Sequence, residues 1–411
     1  MASRVDETVS TVDPFDSMGQ FTDTVAGDTR DPYPRLAEQR RRAPAEVSLL
    51  PNPLGEEVET FAVYTYDLVS QVLRDNETFS SGWIRDLMGI VMGPYVLVGM
   101  DEPEHGRHRR LVSHAFRQKA LARWEGELVT EVVNELIDRF ARRGHAELVR
   151  EFTFRFPVQV IAEILGIPRS DNEQFHQWAI DIINVAAAPE QGIAASDAFR
   201  EYLAGIVEQR RAHPSDDVIS DLVTTELDGS RLGDEEIFSF LRLLLPAGAE
   251  TTYRATGNFL YGLLTHTDQL ELLRNDRSMF PQAVEESIRW ESPLLITSRV
   301  STRDCEVGGV EVREGMPVVT HVGSANHDET RWDDADEFDI TRPKQPHIAF
   351  GLGPHMCLGM HLARMEMRVA VAALMDRFPD LRLDPDATDD PHIHGERFRS
   401  PTSLPVQFTP A

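Results

Sequence analysis

At 411 residues, with 41% hydrophobic and 27% charged residues, the chain has the composition of a folded globular protein and is long enough to bury a substantial core. Its formal net charge of −27 argues against nucleic acid or an anionic membrane as a partner, because so acidic a surface would be repelled by either. No segment approaches the ~20 apolar residues of a membrane span, and residues 1–30 are polar, without an apolar signal core. We therefore expect a cytoplasmic protein.

The spacing of apolar residues predicts a mainly α-helical fold with a small β portion. No repeat or Gly/Ser-rich linker marks a boundary, so we expect a polar N-terminal extension over 1–30 and a single domain over 31–411. In chain order, the predicted strands are 59–64, 305–307, 310–312 and 317–322, with a Gly308-Gly309 turn between the second and third. The predicted helices are 119–142, 235–264, 281–290 and 358–378.

The helix predicted to start at Asp234 has unusual residues at its centre. Pro246 cannot donate a backbone hydrogen bond, and the Thr251 hydroxyl can bond to the carbonyl of Ala247, which would bend the helix and open a groove beside Gly248. Glu250 and Thr251 are adjacent, and an acid and an alcohol in an apolar groove can deliver protons while bulk water stays out. The alternative is that the pair only caps or kinks the helix.

Of the two cysteines, Cys305 and Cys357, the second has the more informative surroundings. It follows the Gly-rich segment 350–356 and precedes a predicted helix, where free amides and the helix dipole are expected to lower the pKa of a thiol. One alternative is a small buried hydrophobe in a turn. Another is zinc with His355 and His361, although no further pair completes a four-ligand set.

Five residues around this cysteine, Phe350, Gly353, His355, Cys357 and Gly359, match F-x-x-G-x-H-x-C-x-G. This is the haem-binding signature of the cytochrome P-450 family, and the chain resembles the bacterial, ferredoxin-dependent members. The resemblance implies a triangular fold with a long central helix over haem b, Cys357 as the axial iron ligand and His355 as a propionate partner. It further implies cofactor contacts from Ala247, Gly248, Phe350, Gly351, Gly359 and Ala363.

Other segments resemble further motifs of the cytochrome P-450 family and follow one another in the same order as in that family. The resemblance of 247–251 to A-G-x-[DE]-T implies that Thr251 and Glu250 are catalytic, Thr251 as a hydrogen-bonding alcohol and Glu250 as a proton source acting through water. The pair Glu286 and Arg289 matches E-x-x-R, and Arg342 resembles the arginine that completes this buried network.

Three further residues resemble the family's propionate ligands. His105 and Arg109 are four apart in a segment that resembles the family's helix at the haem edge, and Arg299 follows the E-x-x-R helix. Cations matched to carboxylates form charge-assisted hydrogen bonds. Taken singly, each of these residues could equally be an ordinary surface charge.

The resemblance also indicates where a substrate would bind. A loop-like stretch at 81–100, rich in apolar and Met residues, is expected to roof the pocket. Ordinary core packing is the alternative for every candidate wall residue. The candidates are Leu87, Met88, Val91, Leu243, Ala247, Leu294, Leu295 and Ile296. Arg85 and Arg397 are candidate cations for a substrate carboxylate, since both lie in segments that resemble substrate loops.

The resemblance therefore implies a haem-thiolate monooxygenase that hydroxylates a small or medium apolar molecule. No flavin or iron-sulfur module is visible, so electrons are expected from NAD(P)H through a reductase and an acidic ferredoxin, which would dock on a local basic run. The run comprises Arg107, Arg109, Arg110, Arg117, Lys119 and Arg123. The alternatives are a peroxide-driven peroxygenase and a non-catalytic haem-thiolate ligand sensor, and we expect a monomer.

Overall fold

The computed structural model describes residues 29–51, 56–388 and 391–411. The predicted N-terminal extension, 1–30, lies outside these ranges except for its last two residues. Within the described ranges, the α-helices are α1 (Tyr33–Arg42), α2 (Tyr66–Arg74), α3 (Gly82–Met92), α4 (Glu104–Ser113), α5 (Gln118–Trp124), α6 (Thr130–Asp138), α7 (Arg155–Ile164), α8 (Asn172–Ile183), α9 (Pro189–Ala212), α10 (Val218–Thr224), α11 (Asp234–Leu245), α12 (Thr251–Thr265), α13 (Thr267–Asn275), α14 (Phe280–Trp290), α15 (Val322–Asn326) and α16 (Met360–Arg377).

The strands are short. They are β1 (Ala45–Pro51), β2 (Glu57–Val63), β3 (Phe79–Ser80), β4 (His145–Glu147), β5 (Ile296–Ser301), β6 (Cys305–Val307), β7 (Val310–Val312), β8 (Pro317–His321), β9 (Arg382–Leu383), β10 (Ile393–His394), β11 (Ser400–Pro401) and β12 (Pro405–Gln407). The largest sheet has the order β1-β2-β8-β5-β3, in which β2 and β8 run parallel and the other neighbours antiparallel. The mainly α-helical fold with a small β portion is confirmed.

The hairpin predicted at Gly308 and Gly309 is also confirmed. Strands β6 and β7 pair Cys305 with Val312 and Val307 with Val310. The φ angles of the two glycines are 62° and 78°, the left-handed values that a two-residue turn of this kind requires and that glycine adopts at no steric cost.

The central helix is built from α11 and α12, which are joined by a π-helical turn, Pro246–Glu250. The turn falls where Pro246 removes a backbone donor. Nearly every residue of α12 from Thr252 to Leu264 is buried, as expected of a helix in the middle of the molecule. None of the helices in the described part of the chain is long and apolar enough to cross a membrane.

Two local predictions were wrong. The stretch 81–100 was expected to be a loop, but residues 82–92 form α3, because Leu87 with Val91 and Met88 with Met92 repeat at the four-residue spacing of a helix. The helix predicted over 119–142 was wrong in its end: α5 and α6 continue into each other through a π-helical turn, Glu125–Val129, and the helix ends at Asp138.

A buried ion network fixes α14 to the segment that leads into the Gly-rich loop. Arg289 donates to both carboxylate oxygens of Glu286 at 2.8 and 2.7 Å, and Arg342 Nε donates to Oε1 at 3.2 Å. Arg289 Nη1 also donates to the carbonyls of Asn326 and Ala335. The three-residue network predicted from the sequence is therefore present.

Candidate functional site

The Gly-rich loop places Cys357 by backbone hydrogen bonds. The Cys357 N–H donates to the Phe350 carbonyl at 2.8 Å, and the Gly359 N–H donates to the Cys357 sulfur. Gly353 has a φ of 69°, and a Cβ at this position would lie 2.6 Å from the carbonyl oxygen of Leu73. The loop therefore requires glycine at 353 in order to pack against the end of α2.

The electrostatics of Cys357 differ from the prediction. Burial raises the pKa of its thiol, and the Gly359 N–H, Arg109 and Arg364 only partly oppose this effect. The expectation of a lowered pKa was wrong, because the surrounding protein removes more hydration from a thiolate than the loop amides return. The Cys357 side chain nevertheless keeps an accessible surface. A coordinated metal ion would deprotonate such a thiol outright.

The four predicted propionate ligands lie together beside the loop. The rings of His105 and His355 are 4.1 Å apart between centroids, and the Nε2 atom of each is buried without a hydrogen-bond partner. Burial, followed by the nearby charges of His105, Arg299 and Arg109, lowers the pKa of His355 to about 3. Burial likewise lowers the pKa of Arg299 to about 10. The hydrogen-bond donors of these four side chains therefore lie close together, and such a site favours a ligand that carries carboxylates.

The predicted kink in the central helix is present. Thr251 Oγ1 donates to the carbonyl of Ala247 at 2.8 Å. Ala247 is exposed and Gly248 and Thr251 are partly so, which leaves one side of the π-helical turn open. A Cβ on Gly248 would lie 2.9 Å from Cδ1 of Ile161, so this glycine also allows α7 to pack closely against the turn.

Glu250 does not lie beside Thr251 in the groove. Adjacent helical residues point about 100° apart, and Glu250 is turned into the protein interior. There its Oε1 accepts from Arg254 Nη2 at 3.1 Å, and Arg254 Nη1 donates to Ser400 Oγ at 3.0 Å. Sequence reasoning missed Arg254, although a Glu and an Arg four apart on a buried helix are a usable signal.

Burial raises the pKa of Glu250, while Arg254 and, more weakly, Arg397 lower it. A second buried acid, Glu366 on α16, accepts a hydrogen bond from the side chain of Thr252, the residue next to Thr251. Burial raises the pKa of Glu366 well above its ordinary value, and its Oε1 atom has no hydrogen-bond partner. The sequence reading missed Glu366 because nothing local distinguishes it from a surface acid on a helix.

The predicted wall residues separate into three groups. Leu294 and Ile296 are half-buried, and Leu294 forms an isolated β-bridge with Phe398. Leu87 is 48% exposed, while Met88 on the same helix packs against the main core. Ala247, like Leu87, is exposed, and the other three candidates are core residues, namely Val91, Leu243 and Leu295.

Comparison with known proteins points to one family. The family model for cytochrome P450 matches residues 187–404. The chain is 37% identical to the putative cytochrome P450 YjiB of Bacillus subtilis strain 168 over 365 residues, which cover 86% of this chain and 89% of that protein. It is 36% identical to a steroid C26-monooxygenase of Mycolicibacterium smegmatis over 358 residues, covering 85% and 88% of the two chains. This chain belongs to the cytochrome P450 family.

Solved P450 structures agree. The crystal structure of CYP109E1 from Bacillus megaterium in complex with testosterone aligns with a TM-score of 0.83 at 32% identity, over 92% of this chain and 99% of that chain. PksS, the bacillaene polyketide synthase cytochrome P450 of Bacillus subtilis 168, aligns with a TM-score of 0.85 at 31% identity, over 92% and 97%. The predicted P450 fold and the identification as a P450 monooxygenase with haem b are therefore confirmed.

The residues of this P450 fit haem b. The unpartnered Nε2 atoms of His105 and His355, together with the guanidinium groups of Arg109 and Arg299, can satisfy the two propionates. Arg109 already donates to the carbonyl of Met356 at 2.5 Å and so links this cluster to the loop that carries Cys357. Cys357 would hold the iron, and the open side of the π-helical turn at Ala247 and Gly248 would lie against the porphyrin.

Proposed function

We propose that this P450 hydroxylates an apolar small molecule, with electrons from NAD(P)H delivered by a separate reductase and ferredoxin. When bound, the haem supplies activation of dioxygen, which a cysteine thiolate ligand favours by donating electron density. The observation that carries the proposal is the hydrogen bond from Thr251 to Ala247, because it holds an alcohol in place on the open side of the kinked central helix.

The hydroxyl group of Thr251 can donate one hydrogen bond and also accept hydrogen bonds. Because the Thr251 hydroxyl donates its proton to the Ala247 carbonyl, its oxygen is left to accept hydrogen bonds from water in the groove. A water held in this way can pass protons inward while the apolar walls exclude bulk solvent. We assign Thr251 to positioning this water.

Glu250 is proposed as the proton source behind this water. Burial raises the pKa of its carboxyl, so Glu250 holds a proton to higher pH than an ordinary glutamate. Since its carboxylate contacts Arg254 and not the groove, transfer to Thr251 requires either a rotation of the side chain or an intervening water chain. Of these two routes, we propose the water chain, because it leaves the ion pair between Glu250 and Arg254 intact.

The proposed substrate class is based on the apolar residues predicted to line the pocket and on the ligands named for two similar P450s. Leu294 and Ile296 present half-buried apolar surface near the C-terminal segment that also contacts α12. One relative is named for a steroid, and CYP109E1 was crystallised with one. An apolar substrate of small or medium size is consistent with both observations.

The ferredoxin assignment depends on the basic run. Three of its members already have partners, since Arg107 pairs with Glu236, Arg117 with Asp221 and Arg123 with Asp216. Arg110 and Lys119 are exposed, and neither forms an ion pair within the part of the chain that the structure describes. These two cations are the ones we propose to meet an acidic ferredoxin.

The test reconstitutes the protein with ferredoxin, reductase and NAD(P)H and compares it with hydrogen peroxide alone. We expect product formation to follow the electron-transfer partners, and Thr251→Ala to lower product per NAD(P)H by about 100-fold, the lower end of the contribution of a positioned proton-transfer group. Thr251→Ser keeps the hydroxyl and should retain most of the coupling. Faster turnover with peroxide would favour a peroxygenase, and no substrate-stimulated NAD(P)H consumption would favour a ligand sensor.

The docking face has its own test. Arg110→Glu and Lys119→Glu should each raise the KM for ferredoxin and weaken its dependence on salt, because a charge-charge contact is screened by ions. Turnover driven by hydrogen peroxide, which bypasses the ferredoxin, serves as the control and should be unaffected. Unchanged KM values would place the docking site elsewhere.

A further inference from the structure

Arg397 is a half-buried cation without a matching anion among the described residues. Its Nε atom is buried and has no hydrogen-bond partner, and no carboxylate in the described part of the chain forms an ion pair with it. A guanidinium cannot lose its charge at any physiological pH, and leaving its buried Nε–H group without a hydrogen-bond acceptor is costly. The site therefore favours a ligand that brings a negative charge.

The backbone places Arg397 between the substrate wall and the central helix. Its carbonyl accepts a hydrogen bond from the Leu295 N–H at 2.8 Å, inside the apolar segment 294–296. The next residue, Phe398, forms a β-bridge with Leu294, and its ring stacks with the guanidinium of Arg254 at 5.4 Å. Arg397 thus lies where an apolar wall meets the central helix.

The charges of this region do not balance. Even when Glu250 is ionised, it supplies one negative charge against the two positive charges of Arg254 and Arg397. Arg254 bonds to Oε1 of Glu250 and also to Ser400, and Glu250 and Arg397 act on each other only at longer range, without a direct ion pair. One positive charge is left over, and a single negative charge would compensate for it.

The haem propionates do not supply that charge. The propionate cluster is a different group of residues, in which the charges of His105, Arg299 and Arg109 act on His355. Among the described residues, Glu250 acts electrostatically on Arg397, whereas no member of the propionate cluster does. The two cationic sites are therefore electrostatically separate.

We propose that Arg397 binds a carboxylate on the substrate, so that the substrate of this enzyme is an apolar carboxylic acid and not a neutral hydrocarbon skeleton. This inference rests on the proposed function and deepens it. A monoanion matches the single uncompensated charge, whereas a phosphate monoester would add a second negative charge beside Glu250. The guanidinium can bind both carboxylate oxygens, which would orient the apolar chain along the wall at 294–296.

The test measures binding by the substrate-induced shift of the Soret band, using linear acids from octanoic to hexadecanoic and their methyl esters. We expect the wild type to prefer acids. We expect Arg397→Met to weaken acid binding by about 10- to 100-fold, the value of a charge-assisted hydrogen bond, with ester binding unchanged. Arg397→Lys should restore part of the acid preference. Only variants that keep the thiolate-type carbon monoxide spectrum are compared, so a failed haem site is recognised separately.

Arg85 is the matched comparator, because its Nη2 already pairs with Glu104 at 2.7 Å. Loss of acid binding in Arg85→Met but not in Arg397→Met would overturn the assignment. Equal binding of acid and ester by the wild type, or no binding of any acid in the series, would also overturn it. The assignment would also be overturned if Arg397→Met slowed the oxidation of acid and ester alike and left both dissociation constants unchanged. Arg397 would then act only by changing the pKa of Glu250.

Discussion

Arg254 of α12 forms a buried ion pair with Glu250, which lies one turn earlier in the π-helical turn. The distance between Arg254 Nη2 and Glu250 Oε1 is 3.1 Å. Ser400 and the rings of Tyr253 and Phe398 surround the guanidinium. A buried pair of this kind contributes little net stability, but it fixes where the acid points. The pair therefore governs how the proposed proton source is held.

Arg254→Met should move the pH dependence of turnover to higher pH. Arg254 lowers the pKa of Glu250 against burial, which raises it, so removing the cation raises the pKa further. Glu250 then stays protonated to higher pH, and product formation per NAD(P)H should fall only at a more alkaline pH than in the wild type. Product yield across a pH series is the measurement.

Two controls accompany this variant. Arg254→Lys keeps a cation and should stay close to the wild-type profile. Arg277→Met removes a cation that pairs with Asp376 and contacts Met375 and Phe280, but does not touch Glu250. An unshifted profile in Arg254→Met would show that Glu250 does not limit proton supply. Because a buried carboxylate without its partner costs about 3–5 kcal/mol, the variant must first be shown to be folded.

Cys357→Ser should abolish the thiolate signature. Reduced wild-type protein with carbon monoxide is expected to show a strongly red-shifted Soret band, which the serine variant should lack because an alcohol does not replace the thiolate. Cys305→Ser changes the other cysteine, on β6, and should keep the band. A band that survives in Cys357→Ser would refute the assignment of the iron ligand.

Gly353→Ala should prevent formation of a stable cysteine loop. The new Cβ would lie 2.6 Å from the Leu73 carbonyl oxygen, at a φ of 69° that non-glycine residues rarely adopt. We expect loss of bound haem and a lower unfolding midpoint in denaturant. Gly89→Ala is the control, because nothing lies within 4 Å of that Cβ, and alanine in a helix should stabilise it by up to about 1 kcal/mol.

Glu366→Gln should remove a pH-dependent part of the stability. Because burial raises the pKa of Glu366 in the folded state above its unfolded value, the native protein binds more protons, and this contribution is full below the unfolded pKa. It is lost as the pH rises from the unfolded pKa towards the folded one. The unfolding midpoint of the wild type should therefore decline with rising pH in that window, and that of Glu366→Gln should decline less. Parallel declines would show that Glu366 is not the titrating group.

Much of the fold followed from local patterns. The helix predicted at 281–290 is found at 280–290, and that predicted at 235–264 spans 234–265 with its π-helical turn at the expected proline. The loop-like reading of 81–100 was wrong because Gly, Pro and consecutive apolar residues obscured the helical spacing of α3. Helix α3 forms although tertiary packing buries only two of its residues, Val91 and Met92.

The sequence by itself determined the family, the iron ligand proposed at Cys357, the hydroxyl hydrogen bond of Thr251 and the Glu286 network. These depend on residues close in the chain or on motifs with fixed spacing, where local geometry leaves few choices. Only the tertiary structure decided which way Glu250 faces, which groups surround Arg397 and whether the pKa of Cys357 rises or falls. Burial and charge at those positions depend on segments that are far apart in sequence, as in the hydrogen bond between Arg254 and Ser400. No local sequence pattern predicts such a contact.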